Sequence, residues 1–246
     1  MADRDLIIGG IHPVTLMLER APQTALEIFA HRSGNSAQQS ILQAARQAGV
    51  TVQLCERDLL DRRYGDPHHQ GIVARRRLPK SYGETDLANL VHQGRKPAVV
   101  LVLDQVQDPR NFGACLRIAD GVGATAVVVT GRNSAPLSAA AAKAASGAID
   151  TVPLVIVANL ARALARLKDE GLWAVGLSQD AQGDLSTTDL SFPAALVLGG
   201  EGGGLRRLTR ERCDLLAKIP MQGALSSLNV ATAAAVGLYE IRRQQG

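Results

Sequence analysis

The chain has 246 residues, 46% of them hydrophobic, which is enough for one large domain or two small ones. No run reaches the roughly 18 uncharged apolar residues of a membrane span, and the opening MADRDLIIGG lacks a signal-peptide profile, so a cytoplasmic protein with no membrane partner is expected. The net charge of +4 fits an anionic partner, while three cysteines (Cys55, Cys115, Cys213) without metal spacing argue for free thiols and no metal site.

In chain order, residues 6–8 read as a strand and 13–20 as a short helix with a proline near its start. Residues 25–29 suit a strand, 37–48 a helix stopped by Gly49, and 50–54 a strand, and 72–76 would close this small sheet. The polar stretch 78–96, punctuated by Pro79, Gly83 and Gly94, reads as a linker carrying at most a short helix. From Pro97 the pattern is strongly α/β. Residues 99–103 form a continuous apolar run, as in a parallel strand buried on both faces. Helices are predicted at 112–122, 139–145, 160–170 and 230–243, with strands at 126–129, 152–157, 173–177 and 195–198. On the last helix Val230, Ala234, Gly237, Leu238 and Ile241 share one face. The expected fold is α/β in two domains, 1–77 and 97–246, joined by 78–96. With only 3% aromatic residues, Ala, Val, Leu and Ile must build its cores.

Three segments after Pro97 follow apolar strands, where α/β sheets place ligands. The first runs from Asp108 to Arg117. Taken alone, an Asn111 helix cap and a solvent-facing Arg117 explain it. The second, residues 198–205, has five glycines in the six positions from Gly199 to Gly204. The dinucleotide spacing G-x-G-x-x-G fails because Glu201 takes a glycine position, and no Gly-Lys-Ser/Thr follows for a phosphate loop. A central carboxylate suits a cationic ligand or a guanidinium better than a phosphate. The third, residues 219–230, is a polar loop in which Ser226, Ser227 and Asn229 are all suitable helix caps.

Together these segments resemble the motifs of the SPOUT RNA methyltransferases, in their TrmH-like 2′-O-ribose branch. Asn-x-Gly-x-x-x-Arg stands here as Asn111 to Arg117 around Gly113, Gly-x-Glu-Gly-x-Gly-Leu as Gly199 to Leu205 around Glu201, and Ile-Pro-Met…Ser-Leu-Asn-Val as Ile219 to Met221 and Ser227 to Val230. The likeness extends over the whole chain, including His69-Gln-Gly71, to the bacterial enzymes that methylate a guanosine in 23S rRNA. Gly200 departs from it, since relatives commonly carry Ala there, and a looser loop is expected.

The resemblance implies a C-terminal SPOUT-type domain with a trefoil-knotted parallel sheet and a small N-terminal L30e-like RNA-binding domain. It implies S-adenosylmethionine as cofactor, held by the backbone around Gly199, Gly200, Ile219, Met221 and Leu228, and a catalytic set of Asn111, Arg117, Glu201, Ser227 and Asn229. Glu201 is expected to orient Arg117. Partners would be 23S rRNA, free or in an assembling ribosomal subunit, and a second copy in a homodimer. All five histidines precede Pro97, so the second domain has no histidine base. In the first domain Arg62, Arg63, His69, Gln70, Arg75 and Arg77 are the expected RNA contacts; a charged, solvated edge strand would explain the arginines equally well. Another rRNA nucleotide, a tRNA, or a non-catalytic role in ribosome assembly stay open as alternatives.

Overall fold

In the computed structural model, which describes residues 5–246, the first sheet contains β1 (Leu6–Gly9), β2 (Ala25–His31), β3 (Thr51–Cys55) and β4 (Ile72–Arg76) in the order β1-β4-β2-β3. β4 is an inner strand, antiparallel to both neighbours, so neither a closing strand nor a charged edge describes it. Helices α1 (Ile11–Arg20) and α2 (Ser36–Gln47) cover one face. The start of α2 is set by a capping box in which Asn35 and Gln38 satisfy each other's backbone amides. The other face carries α3 (Arg57–Tyr64), absent from the sequence-based expectation, which buries Leu60 against Phe29 and Val73.

The second sheet holds β5 (Val99–Asp104), β6 (Ala126–Thr130), β7 (Leu154–Val157), β8 (Trp173–Leu177), β9 (Gly183–Asp184), β10 (Ala194–Gly199) and β11 (Leu215–Lys218). All pairs are parallel, in the order β7-β6-β5-β10-β8-β11-β9. α4 (Leu87–Gln93) and α7 (Leu160–Asp169) pack on one face, and α5 (Pro109–Gly121), α6 (Ala139–Ala145) and α9 (Val230–Gln245) on the other. β5 is buried on both sides, with Val100 and Val102 facing the first layer and Val99, Leu101 and Leu103 the second. From β5 the chain steps outward to β6 and β7, then crosses over to β8, and β10 returns beside β5. That reversal opens a crevice at the carboxyl ends of β5 and β10. The stretch 78–96 is more than a tether, because Tyr82 pairs with Val155 and α4 buries Leu87 and Val91 on the second sheet.

The two sheets share one core, in which Val14 and Met17 of α1 meet Ala145 and Ile149. A forked ion pair crosses it. Arg76 of β4 donates from Nη1 and Nη2 to Asp150 at 2.5 and 2.6 Å, and both side chains are fully buried. Lys143 of α6 also bonds Asp66.

Candidate active site

At the end of β10 the chain enters a glycine hairpin. Gly200 and Gly204 pair across it, and Gly202 and Gly204 take left-handed φ values of 80° and 59°. Gly199 has no room for a side chain: a Cβ there would lie 1.9–2.3 Å from backbone atoms of Gly204 and Leu205. Gly200 backs onto the Gln105 carbonyl, which a Cβ would meet at 2.2 Å. The absence of a methyl here therefore allows close packing, which corrects the expectation of a looser loop. Gly199→Ala is expected to push the hairpin off β10. Stability should fall by about 1–3 kcal/mol, and affinity for any ligand held by this backbone should fall at least about tenfold. Denaturant midpoints and ligand calorimetry check both, and two unchanged values would contradict the packing described.

A chain of amide hydrogen bonds ties the three motif segments together. Asn111 Nδ2 donates to Glu201 Oε1, Asn229 Nδ2 donates to Asn111 Oδ1 at 3.0 Å, and Asn229 Oδ1 caps α9 by accepting from the Ala231 amide at 2.9 Å. Asn111 is therefore not a helix cap. Asp108 caps α5 instead, accepting from the amides of Arg110 and Asn111, with Pro109 at the first helical position. This leaves the Asn111 side chain free to bridge Glu201 and Asn229. Glu201 consequently meets Asn111 rather than Arg117, and the expected Glu201–Arg117 pair is absent within the chain. Arg117 is exposed on α5, with no side-chain partner among the described residues.

Gly199, Gly200, Glu201, Ile219, Ser227, Leu228 and Asn229 line one cleft of about 630 Å³. Arg117 and Met221 are not part of its wall, and Ser226 makes no cap. Sequence reasoning missed the opposite wall, Ser178 and Asp180 after β8 and Arg210 on α8 (Arg207–Arg210). The hydroxyl of Ser178 and then Arg210, whose Nη1 donates to Asp180 at 2.5 Å, hold that carboxyl below its ordinary range, at about 2. The only sequence signal was the position of Ser178 just past an apolar strand. Burial pushes the Cys115 and Cys213 thiols up to about 12, so neither serves as a nucleophile near neutrality. Among the described residues, no cluster of three or more His, Cys, Asp or Glu is placed to hold a metal ion.

The sequence profile of the SpoU rRNA Methylase family matches residues 98–239, and that of the RNA 2′-O ribose methyltransferase substrate-binding family matches residues 7–81. The chain belongs to the SpoU methylase family. Among full-length relatives of this SpoU methylase, the 23S rRNA (guanosine-2′-O-)-methyltransferase RlmB of Yersinia pestis is 46% identical over 241 residues, 98% of each chain. RlmB of Escherichia coli K12 is 43% identical over 240 residues, covering 97% of this chain and 98% of its own. The crystal structure of the SpoU methyltransferase AviRb from Streptomyces viridochromogenes, solved with AdoMet, superposes with a TM-score of 0.82 at 24% identity, covering 98% of this chain and 90% of its own.

In the matched substrate-binding segment, the expected RNA contacts separate into two groups. His69 is fully buried, its Nε2 2.8 Å from Asp61 Oδ1 and its Nδ1 accepting from the Gly71 amide at 2.9 Å. It braces the turn into β4 and faces no solvent, so its reading as an RNA contact is corrected. Gln70 is exposed, but its Oε1 accepts from the Ile11 amide at 2.9 Å and its backbone is left-handed at φ 53°. It ties the turn to the start of α1, and its side-chain carbonyl is already engaged. Arg62 and Arg63 are exposed on α3, Arg63 lying 4.0 Å over the Phe29 ring. Arg75 points to the same sheet face as Val73 and is matched by Asp5 and Glu27, while Arg77 is exposed just past β4. Among the described residues Arg62, Arg63 and Arg77 have no carboxylate partner, whereas Arg75 is largely neutralised by Asp5 and Glu27.

Proposed function

We propose that this SpoU methylase transfers the methyl group of S-adenosylmethionine to the ribose 2′-hydroxyl of a guanosine in 23S rRNA. The observation that carries this reading is the hydrogen-bonded chain of Asn111, Glu201 and Asn229 at the mouth of the cleft, in a protein alike to RlmB over 97–98% of its length. The cleft suits the cofactor. Ile219 and Leu228 supply apolar walls, side-chain-free glycine backbone at Gly199 and Gly200 lets a ligand approach the amides, and Glu201 favours a cation. S-adenosylmethionine, when bound, supplies an electrophilic methyl group on a sulfonium. Met221 stands outside this wall.

A ribose hydroxyl is a poor nucleophile until its proton leaves. The second domain offers no histidine and no ionised thiol for that step. Arg117 acts as a cation: it stabilises the ribose oxygen as its proton passes to solvent water late in methyl transfer, and it grips a neighbouring phosphate. Asn111 and Asn229 fix Glu201 and the hydroxyl, and Ser227 holds the loop between them.

The same proposal assigns RNA selection to residues 1–77 and chemistry to 97–246, with 78–96 connecting them, in a knotted and homodimeric molecule. An apolar groove of about 540 Å³ between α5 and α9, formed by Ile118, Val122, Val236 and Tyr239, supports pairing of two copies, and Tyr239 is 68% exposed. Sedimentation at twice the 25.9 kDa chain mass is the expected result; a monomer would remove this part of the proposal. The function itself is tested by mapping ribose methylation in 23S rRNA from cells with and without the protein. One 2′-O-methylguanosine should disappear, and persistence of every methylation would overturn the reading.

A further inference from the structure

The chain from Gly199 to Arg210 has two sides. Its glycine hairpin and Arg210 wall the cofactor cleft, whereas Arg206, Arg207 and Leu208 wall a second cleft of about 530 Å³. The other walls of that cleft are the loop after β6, bearing Arg132, and the first turn of α7 at Leu160 and Ala161. None of its lining residues is acidic, and the nearest carboxylate, Glu211 just outside it, accepts from Arg207 Nη1 at 2.6 Å in an exposed pair.

The cations are held in place. Thr130 Oγ1 donates to the Arg132 carbonyl at 2.6 Å, and the Ala135 amide donates to Val106 at 2.8 Å, closing the loop that presents Arg132. The Arg132 side chain has no protein partner among the described residues. Arg206 donates from Nε to the fully buried Asp104 at 2.6 Å, and its backbone amide donates to the same carboxylate at 3.1 Å. This fixes the stem, and neither Nη group has a partner among the described residues. The backbone amides of Leu160 and Ala161 find no acceptor, as expected in a first helical turn. Leu208, 59% exposed, adds an apolar rim.

We propose that this second cleft binds a backbone phosphate of the RNA beside the target ribose, with Arg132, Arg206 and Arg207 as its cationic contacts. Guanidinium forks and helix-start amides both suit a phosphodiester. The cleft lies at the carboxyl ends of β6 and β7, about 5–10 Å along the sheet edge from β5 at the usual strand spacing. One segment therefore separates cofactor from RNA strand, and Asp104 sets its position from beneath.

The inference rests on the RNA methyltransferase reading, and its test separates the two. Full-length wild type, Arg132→Ala, Arg207→Ala and Arg132→Lys are compared for binding of a 23S rRNA fragment over a salt series. Arg132→Ala should lower the log–log salt slope by about 0.7–0.9 and raise KM for RNA roughly tenfold, and Arg207→Ala should do the same to a smaller extent because Glu211 already pairs with Arg207, with kcat and S-adenosylmethionine affinity unchanged. The lysine variant should restore the slope. Wild-type slopes in both alanine variants, with RNA still methylated, would overturn the inference and spare the reading. Reduced slopes in a protein that methylates no RNA would do the reverse. Inorganic pyrophosphate is the probe for a free-anion site: micromolar binding that is lost in Arg132→Ala would also overturn the assignment to RNA.

Discussion

Arg117→Ala is expected to slow single-turnover methyl transfer by about 10²–10³-fold, the usual cost of removing one preorganised charge at a developing oxyanion. Binding of S-adenosylmethionine should stay within about twofold, because Arg117 is absent from the cleft wall. Folding should barely change, since an exposed residue without partners costs about 0.5 kcal/mol or less on truncation. Calorimetry with the cofactor, a rapid-quench assay and a melting curve together decide it. Wild-type turnover would remove Arg117 from the mechanism. The position of Arg117 outside its own chain's cleft adds a sharper expectation for the proposed dimer. Mixed dimers of Arg117→Ala and Gly199→Ala copies should regain part of the activity if this arginine serves the partner's site.

Arg76→Ala has the largest expected effect on stability. It would leave the Asp150 carboxylate fully buried without its forked partner, a loss of about 3–5 kcal/mol. Because the pair joins the two sheets, urea denaturation should lose cooperativity or shift strongly to lower concentration. The double variant Arg76→Met, Asp150→Leu should recover most of the loss, since an apolar pair of similar volume needs no desolvation of charge. Equal destabilisation of the single and double variants would show that volume, and not charge, is what the site requires.

The contrast between Arg76 and its neighbours marks where the sequence was legible. The strand at 72–76 and the continuous run from Val99 could be read from apolar pattern alone, because parallel buried strands leave uninterrupted Val and Leu. The motif spacings brought together most of one wall of the cleft at the end of β10. The charges of Arg75, Arg76 and Arg77 look alike in the sequence, and only a partner 74 residues away makes Arg76 a core residue. α3 escaped notice because RDLLDRRY carries five charges in eight residues and few apolar positions. β11 has four residues and β9 two, too short for any periodicity to emerge. Asn111 offered a plausible cap, yet Asp108, three residues earlier and followed by proline, was the better one; choosing it would have freed Asn111 for the network it joins. His69 reads as exposed in the sequence because polar turns are usually wet, and its acceptor Asp61 lies on α3, a helix with no clear apolar pattern.

The shared core under α1 and α6 also limits how an RNA can be measured. Val14, Met17, Ala145 and Ile149 belong to one core, and the buried Arg76–Asp150 pair joins the two sheets. If the exposed arginines of α3 hold RNA and the cleft at β10 carries out the proposed methyl transfer, the two stand at a set distance on one core. On that proposal the molecule works as a caliper: an RNA whose folded shape spans the gap should be methylated, and the same bases on a strand of another length should not.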